Sequence, residues 1–323
     1  MDSGDAAGVT QRLPIALTIA GSDSGGGAGI QADLKTFAAF GVYGASVVTA
    51  LTAQNTRGVR AIHYPPPEIV GAQIEAALED FAVAAIKIGM LGRTEIANVV
   101  AERLSSPPGR GVGGEGACAS HEAPDPADYS PSRDGRPSGR PMVGYLLQEG
   151  EARKAFLIYD PVMIASSGDA LSGEDFVEAV LYALLPLVVC LTPNLAEAAL
   201  LLHEPIARSE EDMARQGTAL LKLGPRVILI KGGHLEGDEA LDLLVTEDAV
   251  HRFAATRLAS QNLHGTGCTL SSAIAASVVL GASLPEAVAA AKAFVCQSIE
   301  RGRDVRLSAG AGPLIQTELR PKL

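Results

Sequence analysis

The run His264-Gly265-Thr266-Gly267-Cys268-Thr269-Leu270-Ser271-Ser272 holds the residues best suited to chemistry, a glycine turn that opens straight into an apolar helix. Glycines at 265 and 267 let successive backbone N–H groups converge, and the helix start adds the positive end of its dipole. Together they make an anion cradle whose natural guest is a phosphate. Cys268 falls in the first helical turn, where the same dipole favours a thiolate and so predicts a lowered thiol pKa. A cysteine so placed could accept the proton of a substrate hydroxyl; the plainer alternative is a helix cap with a small buried thiol.

A second loop, Gly21-Ser22-Asp23-Ser24-Gly25-Gly26-Gly27-Ala28-Gly29, is neither a Walker A loop nor a G-x-G-x-x-G fingerprint. It implies close backbone approach, to a ligand or to a crossing element. Thr192-Pro193-Asn194-Leu195-Ala196-Glu197 puts an amide and a carboxylate three apart at a helix start, suited to hydrated Mg2+ or to a capping box. Lys231-Gly232-Gly233-His234 places a cation and flexible backbone, at Gly233 above all, where nucleotide phosphates could lie. Asp160 is a metal or phosphate-side candidate, or a partner for a helix start. The Gln54 amide can both donate to and accept from a heterocycle edge, or cap a turn. Lys87 and Met90, in Ile86-Lys87-Ile88-Gly89-Met90, could line the same crevice.

These residues follow apolar runs that must position them: Ile15 to Ala20, Ala45 to Leu51, Ala84 to Met90, Phe156 to Tyr159, Leu187 to Leu191 and Val227 to Ile230. Near-continuous apolar runs predict strands covered on both faces, hence an α/β fold with a mostly parallel sheet between helices. Strand C-termini in such sheets carry the site. Helices are expected over Gln31 to Phe40, with Ile30, Leu34 and Phe37 on one face and Asp33 and Lys35 pointing elsewhere, and over Leu270 to Leu280. Val180 to Leu191 is too short to span a membrane and is interrupted by Pro186, so it reads as a helix end and a buried strand. Residues 1–13 form a polar lead-in, 14–304 one domain, and 305–323 a tail. A Gly-, Pro- and Ser-rich insertion at about 105–150 interrupts the domain and cannot bury enough apolar surface to order itself, whether it serves as a lid or as a tolerated surface insertion.

With 323 residues, 47% of them hydrophobic and 20% charged, fibrous and wholly disordered classes are excluded. The net charge of -11, from 37 acids against 26 bases, and the lack of a Lys/Arg run argue against a nucleic-acid partner. An anionic substrate must therefore be held by local backbone dipoles and a few placed cations. Four separated cysteines, Cys118, Cys190, Cys268 and Cys296, signal neither zinc nor disulfides, and no secretory segment precedes Leu13; a cytoplasmic protein without membrane contact is expected.

The ordered set GSDSGGGAGIQADLKT, VVTALTAQNT, IKIGMLG, DPVM, TPNLAEA, IKGGH and HGTGCTLSSA, from about Ile15 to Arg301 and omitting Ser105 to Gly150, resembles the hydroxymethylpyrimidine/phosphomethylpyrimidine kinases of thiamine biosynthesis. The resemblance implies a ribokinase-like three-layer α/β/α sandwich. It implies ATP-dependent phosphorylation of 4-amino-5-hydroxymethyl-2-methylpyrimidine, then of the monophosphate to the diphosphate, with ATP and Mg2+. It assigns the aminopyrimidine to Gln54, surrounded by Gly21, Asp33, Met90 and Val162. Lys231, Gly233 and Asn194 would attend the nucleotide, Glu197, Asn194 and Asp160 the Mg2+ shell, Gly265, Thr266 and Gly267 the anion hole, and Cys268 the base position. It also suggests a homodimer, and the short stretch after Arg301 leaves no room for a fused second thiamine enzyme. Leu263 stands where these kinases often have Thr, and the insertion after Leu104 is unusual. Two rivals stay open: a pyridoxine or pyridoxal kinase of the same superfamily, against which Gln54 and Met90 speak, and a catalytically silent binding relative, against which Cys268, Lys231 and Glu197 speak.

Overall fold

The apolar runs become the centre of one sheet. The computed structural model describes residues 13–105, 146–148, 151–153, 155–163, 174–233, 235–307, 310 and 312–318. Strands β1 (Ile15–Asp23), β2 (Tyr43–Asn55), β4 (Ala85–Ile88), β7 (Phe156–Tyr159), β8 (Cys190–Leu191) and β9 (Val227–Gly232) run parallel. Strand β3 (Gly58–His63) closes one edge antiparallel, and β10 (Glu239–Val245) with β11 (Val250–Thr256) closes the other. Among the described residues the order across this sheet is β11-β10-β9-β8-β7-β4-β1-β2-β3. A separate two-stranded ribbon pairs β5 (Leu146–Gln148) with β6 (Glu151–Arg153).

Consecutive residues of the central strands point to opposite faces, and both faces are buried. Leu17, Ile86 and Leu157 enter one core, while Ala16, Ala85 and Ile158 enter the other. The first core is covered by α2 (Pro67–Asp80), α3 (Thr94–Ser105), α4 (Glu174–Ala179), α5 (Leu195–Leu202) and α6 (Glu210–Leu221); the second by α1 (Gly29–Ala39), α7 (Thr266–Val279) and α8 (Leu284–Gly302). This is the expected three-layer sandwich. From β1 the chain passes through α1 to the neighbouring β2, then returns to β4 on the other side of β1. The strand order therefore reverses outside the C-terminal ends of β1 and β4, where ligands of open α/β sheets bind.

Several expectations change in detail. Pro186 sits in a 3-10 turn, Leu185–Leu187, so the run Leu187 to Leu191 yields only the two-residue β8. Helix α1 begins at Gly29, and Asp33, expected to point away from the packed face, is fully buried. The expected boundary at 304 lies too early: Leu314, Ile315 and Gln316 are buried, and the Gly312 N–H donates to Asn262 Oδ1 (2.9 Å). This five-residue stretch, 312–316, is too short to show a period, yet it packs against α8 and beside the start of α7. The expected disorder of 105–150 falls almost wholly outside the described residues; Ser105 ends α3 and 146–148 is β5. No helix among the described residues is long and apolar enough to cross a membrane.

Candidate active site

Parallel register brings three strand ends side by side. Tyr159 pairs with Leu191, and Leu191 with Ile228, so Asp160 after β7, Thr192 after β8 and Lys231 in β9 meet at one edge. Lys231 Nζ donates to Asp160 Oδ1 (2.5 Å) and lies 3.9 Å from Glu197 Oε2. Glu197 is held there by its own helix. Its Oε2 accepts from the Asn194 N–H (2.7 Å), while Asn194 Oδ1 accepts from the Glu197 N–H (2.9 Å), a reciprocal capping box that starts α5. Capping and site are thus one arrangement, because the cap aims the carboxylate at Lys231.

Two carboxylates face one ammonium in a buried place. Burial pushes Glu197 up to about 7; Lys231 opposes the rise and Asp160 adds to it. Burial alone would lower the Lys231 pKa, but Asp160 and Glu197 hold it above the ordinary lysine value. The cluster carries more carboxylate than its lysine neutralises. Among the described residues no group of three or more His, Cys, Asp or Glu side chains is placed to cage a metal. Hard oxygen donors with unneutralised charge do fit Mg2+, which keeps several waters and takes one or two carboxylates beside phosphate oxygens.

The glycine turn lies directly on this cluster. A Cβ built on Gly267 would stand 3.2 Å from both Asp160 Oδ2 and Lys231 Nζ. Gly265, the N-cap of α7, has φ +87, and a Cβ there would overlap the Gly27 carbonyl. Only glycine meets both demands. Thr266 Oγ1 donates to Leu263 O (2.6 Å), which closes the turn through the Leu263 backbone.

Cys268 follows in the same helical turn, 9% exposed. The sequence predicts a lowered thiol pKa; the structure gives the opposite direction. Burial pushes the thiol up to about 11, Lys87 draws it back, and Asp33 and Asp160 push it further up, while the Gly29 N–H bonds the sulfur and favours the thiolate. Desolvation of a thiolate inside the protein outweighs a helix start.

Beneath Cys268 lies a closed polar network. Asp33 Oδ2 accepts from Thr18 Oγ1 (2.6 Å), its Oδ1 accepts from Ser272 Oγ (2.7 Å), and Lys87 Nζ reaches both oxygens (3.0 and 2.9 Å). Lys87 and Asp33 side chains are 0% exposed. Burial alone would lower the Lys87 pKa, yet Asp33 and its other neighbours raise it, so it stays an ammonium. Asp33, expected beside the acceptor, therefore has its carboxylate engaged from three sides, one of them by Ser272, which stands one helical turn from Cys268 on α7.

The other predicted residues lie at or after strand ends: Gly21 in β1, Gln54 in β2, Met90 after β4, Val162 after β7 and Gly233 after β9. The β1–β2 register shifts between Ala20 and Gly21, where β2 carries Thr49 as an extra residue, and the glycine loop follows. Gly21 approaches Met90, whose carbonyl accepts from Thr49 Oγ1 (2.6 Å), and Met90 and Val162 are half-buried. Gln54 stands at the end of β2, its amide nitrogen 3.2 Å from His264 Nε2 and its Oε1 3.2 Å from Thr52 Oγ1. Gly233 is half-buried, and its carbonyl accepts from Arg257 (2.5 Å).

Two organisers were not singled out from sequence. Asp23 gathers the glycine loop: its Oδ1 accepts from the Gly25 N–H (2.8 Å), and its Oδ2 accepts from the N–H groups of Gly27 (3.0 Å) and Ala28 (2.9 Å) and lies 3.0 Å from His264 Nε2. Burial works against its ionisation, but His264 and the loop amides outweigh it and hold the carboxyl below its ordinary value. An Asp two residues before a glycine run is a readable signal for such a turn. Arg257 ties the carbonyls of Gly233, Leu235, Gly237 and Glu239 together after β9. Nothing local marks it, since its partners lie up to 24 residues away.

Comparison with known proteins shows the family. Residues 23–112 and 142–315 match the family described as phosphomethylpyrimidine kinase. The chain is 46% identical over 300 residues to a hydroxymethylpyrimidine/phosphomethylpyrimidine kinase of Rhizobium meliloti, covering 93% of this chain and 96% of the relative. A crystal structure of phosphomethylpyrimidine kinase from Clostridium difficile 630 superimposes with TM-score 0.67 at 36% identity, covering 89% of this chain and 100% of that one. Pyridoxal kinase from Staphylococcus aureus in complex with AMP-PCP and pyridoxal has TM-score 0.72 at 29% identity, covering 95% and 94%.

Proposed function

The chain belongs to the phosphomethylpyrimidine kinase family, and from that premise we infer how its own residues carry out the ATP-dependent phosphorylation of 4-amino-5-hydroxymethyl-2-methylpyrimidine to its monophosphate and then to the diphosphate. The observation that carries the reading is the α7 turn, which touches the Asp160–Lys231 pair at Gly267 and delivers Cys268 above Lys87. Phosphoryl transfer asks mainly for positioning and for charge neutralisation on the transferred group. Backbone N–H groups of Gly265 and Gly267 with the start of α7 supply this at one side, and Lys231 at the other, although the protein is acidic overall; the Thr266 N–H, expected to join them, donates instead to the Leu263 carbonyl (3.3 Å).

Lys231 attends the nucleotide phosphates, with Gly233 and Asn194 beside it. Asp160 and Glu197 would hold Mg2+, which when bound neutralises phosphate oxygens. Gln54 holds the aminopyrimidine, and Gly21, Met90 and Val162 enclose it. Asp33 acts from beneath as a positioning residue that fixes Lys87. As the thiolate, Cys268 takes the hydroxyl proton; burial favours the protonated thiol, and Lys87 and the start of α7 are the charges that stabilise the thiolate form. Residues 14–316 form the kinase domain. The reading extends to a cytoplasmic homodimer.

A coupled ADP-release assay with Mg-ATP tests this, comparing hydroxymethylpyrimidine, its monophosphate and pyridoxine as acceptors, with Cys268→Ala in parallel. Turnover on both pyrimidines, lost in the variant, is expected. The similarity to a pyridoxal kinase makes the B6 acceptor the second reading, and turnover on pyridoxine alone would establish it. Absence of turnover on all three acceptors would point to a silent relative.

A further inference from the structure

His264 and Asp23 do not appear in the division of labour above, yet they meet the amide that holds the acceptor. Asp23 Oδ2 already accepts from Gly27 and Ala28, and His264 Nε2 stands 3.0 Å from it. A carboxylate only accepts, so His264 must carry hydrogen on Nε2, whether the ring is neutral or cationic. The same Nε2 is 3.2 Å from the Gln54 amide terminus, and a protonated ring nitrogen has no lone pair for an amide N–H.

One arrangement satisfies every group. The oxygen and nitrogen of an amide are told apart by their partners. With Gln54 Oε1 toward His264, the ring N–H is shared between Asp23 and that oxygen. Gln54 Nε2 then donates to Thr52 Oγ1, whose own hydrogen goes to Ser22 O at 3.0 Å. One amide N–H is left on the Thr52 side and one oxygen lone pair on the His264 side. The opposite orientation sets N–H against N–H at 3.2 Å.

We propose that the Asp23–His264 pair fixes which way round the Gln54 amide is presented, and thereby makes the site selective for a ring edge with a nitrogen acceptor next to an amino donor. His264 and Asp23 are positioning residues for acceptor choice, a role that rests on the reading of Gln54 as the acceptor-binding amide. A 4-amino edge offers N3 to the amide N–H and its amino group to the amide oxygen. A 4-oxo edge inverts both, so a fixed amide meets N–H with N–H and oxygen with oxygen.

The test compares kcat/KM for 4-amino-5-hydroxymethyl-2-methylpyrimidine and its 4-oxo analogue in wild type, His264→Phe and Gln54→Ala. Phenylalanine keeps the ring that packs on Gly27, whose absent Cβ would sit 2.6 Å from His264 Cδ2, and removes the fixed N–H. Wild type should prefer the amino compound by at least ~10^3-fold, as sites built around paired polar groups do. In His264→Phe the amide is free to turn, and the preference should fall to about tenfold or less while the KM for ATP moves less than about threefold. Gln54→Ala should lose the preference as well. Loss in Gln54→Ala with retention in His264→Phe overturns the proposal and leaves the reading of Gln54 standing. Retention in Gln54→Ala removes that reading and the proposal with it. Should His264→Phe fail to fold, the wild-type protein decides: with glutamine side chains labelled with 15N and assigned by Gln54→Glu, the Gln54 amide hydrogens should show contacts to Thr52. Contacts to the His264 ring with none to Thr52 overturn the proposal.

Discussion

Two lysine–carboxylate pairs stand at strand ends on either side of the same helix start, and they differ in what is left over. Around Lys87 the account closes: Asp33 takes one ammonium and two hydroxyls, and both charged side chains are sealed. Around Lys231 it does not close, because Asp160 and Glu197 share one ammonium that is 14% exposed. A closed pair rigidifies, whereas a pair with surplus charge and an opening waits for a ligand. Cys268 lies between them and feels both.

Substituting each lysine is the sharpest way to break the contrast. Lys87→Met leaves Asp33 as an uncompensated buried charge and should cost about 3–5 kcal/mol of stability, read by urea unfolding. Lys87→Met with Asp33→Asn should recover most of it. Lys231→Met should instead cost less stability, because Glu197, already raised to about 7, can take up a proton, and should lose ATP turnover; equal destabilisation by the two single variants would erase the distinction.

Between the pairs, Cys268→Ala should lower kcat by about 10^2 to 10^4 with the KM for ATP nearly unchanged, the range a positioned base supplies. Because the thiol is protonated up to about 11, wild-type kcat should rise across pH 6 to 9, and the variant should lose that rise. A wild-type-like rate would remove the cysteine from the mechanism.

Glu197 gives a smaller, two-sided effect. Its folded pKa of about 7 lies above the ordinary 4.5, so the folded protein binds the proton more tightly and stability falls as pH rises through that interval. Calorimetry of metal-free protein at pH 8 should therefore show Glu197→Gln melting above wild type while turning over more slowly. Mg2+ competes with the same proton: titrations should show affinity falling up to tenfold per unit below about pH 7 and levelling above it. A flat profile would separate Glu197 from the metal.

The site was legible where chemistry is written locally. Two glycine turns, a Thr-Pro-Asn start with an acid three residues on, and a lysine closing a buried strand each state their geometry in a few residues. The parallel core was legible for the same reason: double burial demands continuous apolar runs. Less legible were β10 and β11, because β11 lies on an exposed edge and carries a mixed pattern. The role of Asp33 was hidden too, since helical spacing marks the apolar face and says nothing about a carboxylate that finds Thr18, Lys87 and Ser272 from three separate elements. For Asn194 and Glu197 the sequence left capping and ligand binding as alternatives; the fold shows the capping box and brings the Glu197 carboxylate 3.9 Å from Lys231.

By itself, then, the sequence determined the strand–helix alternation, the turns that only glycine permits and the residue types brought to the strand ends, because each depends on neighbours in the chain. The tertiary structure alone decided which lysine is sealed and which is partly open, that burial pushes the Cys268 thiol up, that 312–316 packs against α8, and that Asp23, His264 and Gln54 meet within hydrogen-bond reach. Those outcomes depend on desolvation and on distances between residues as many as 241 positions apart, which no local pattern encodes.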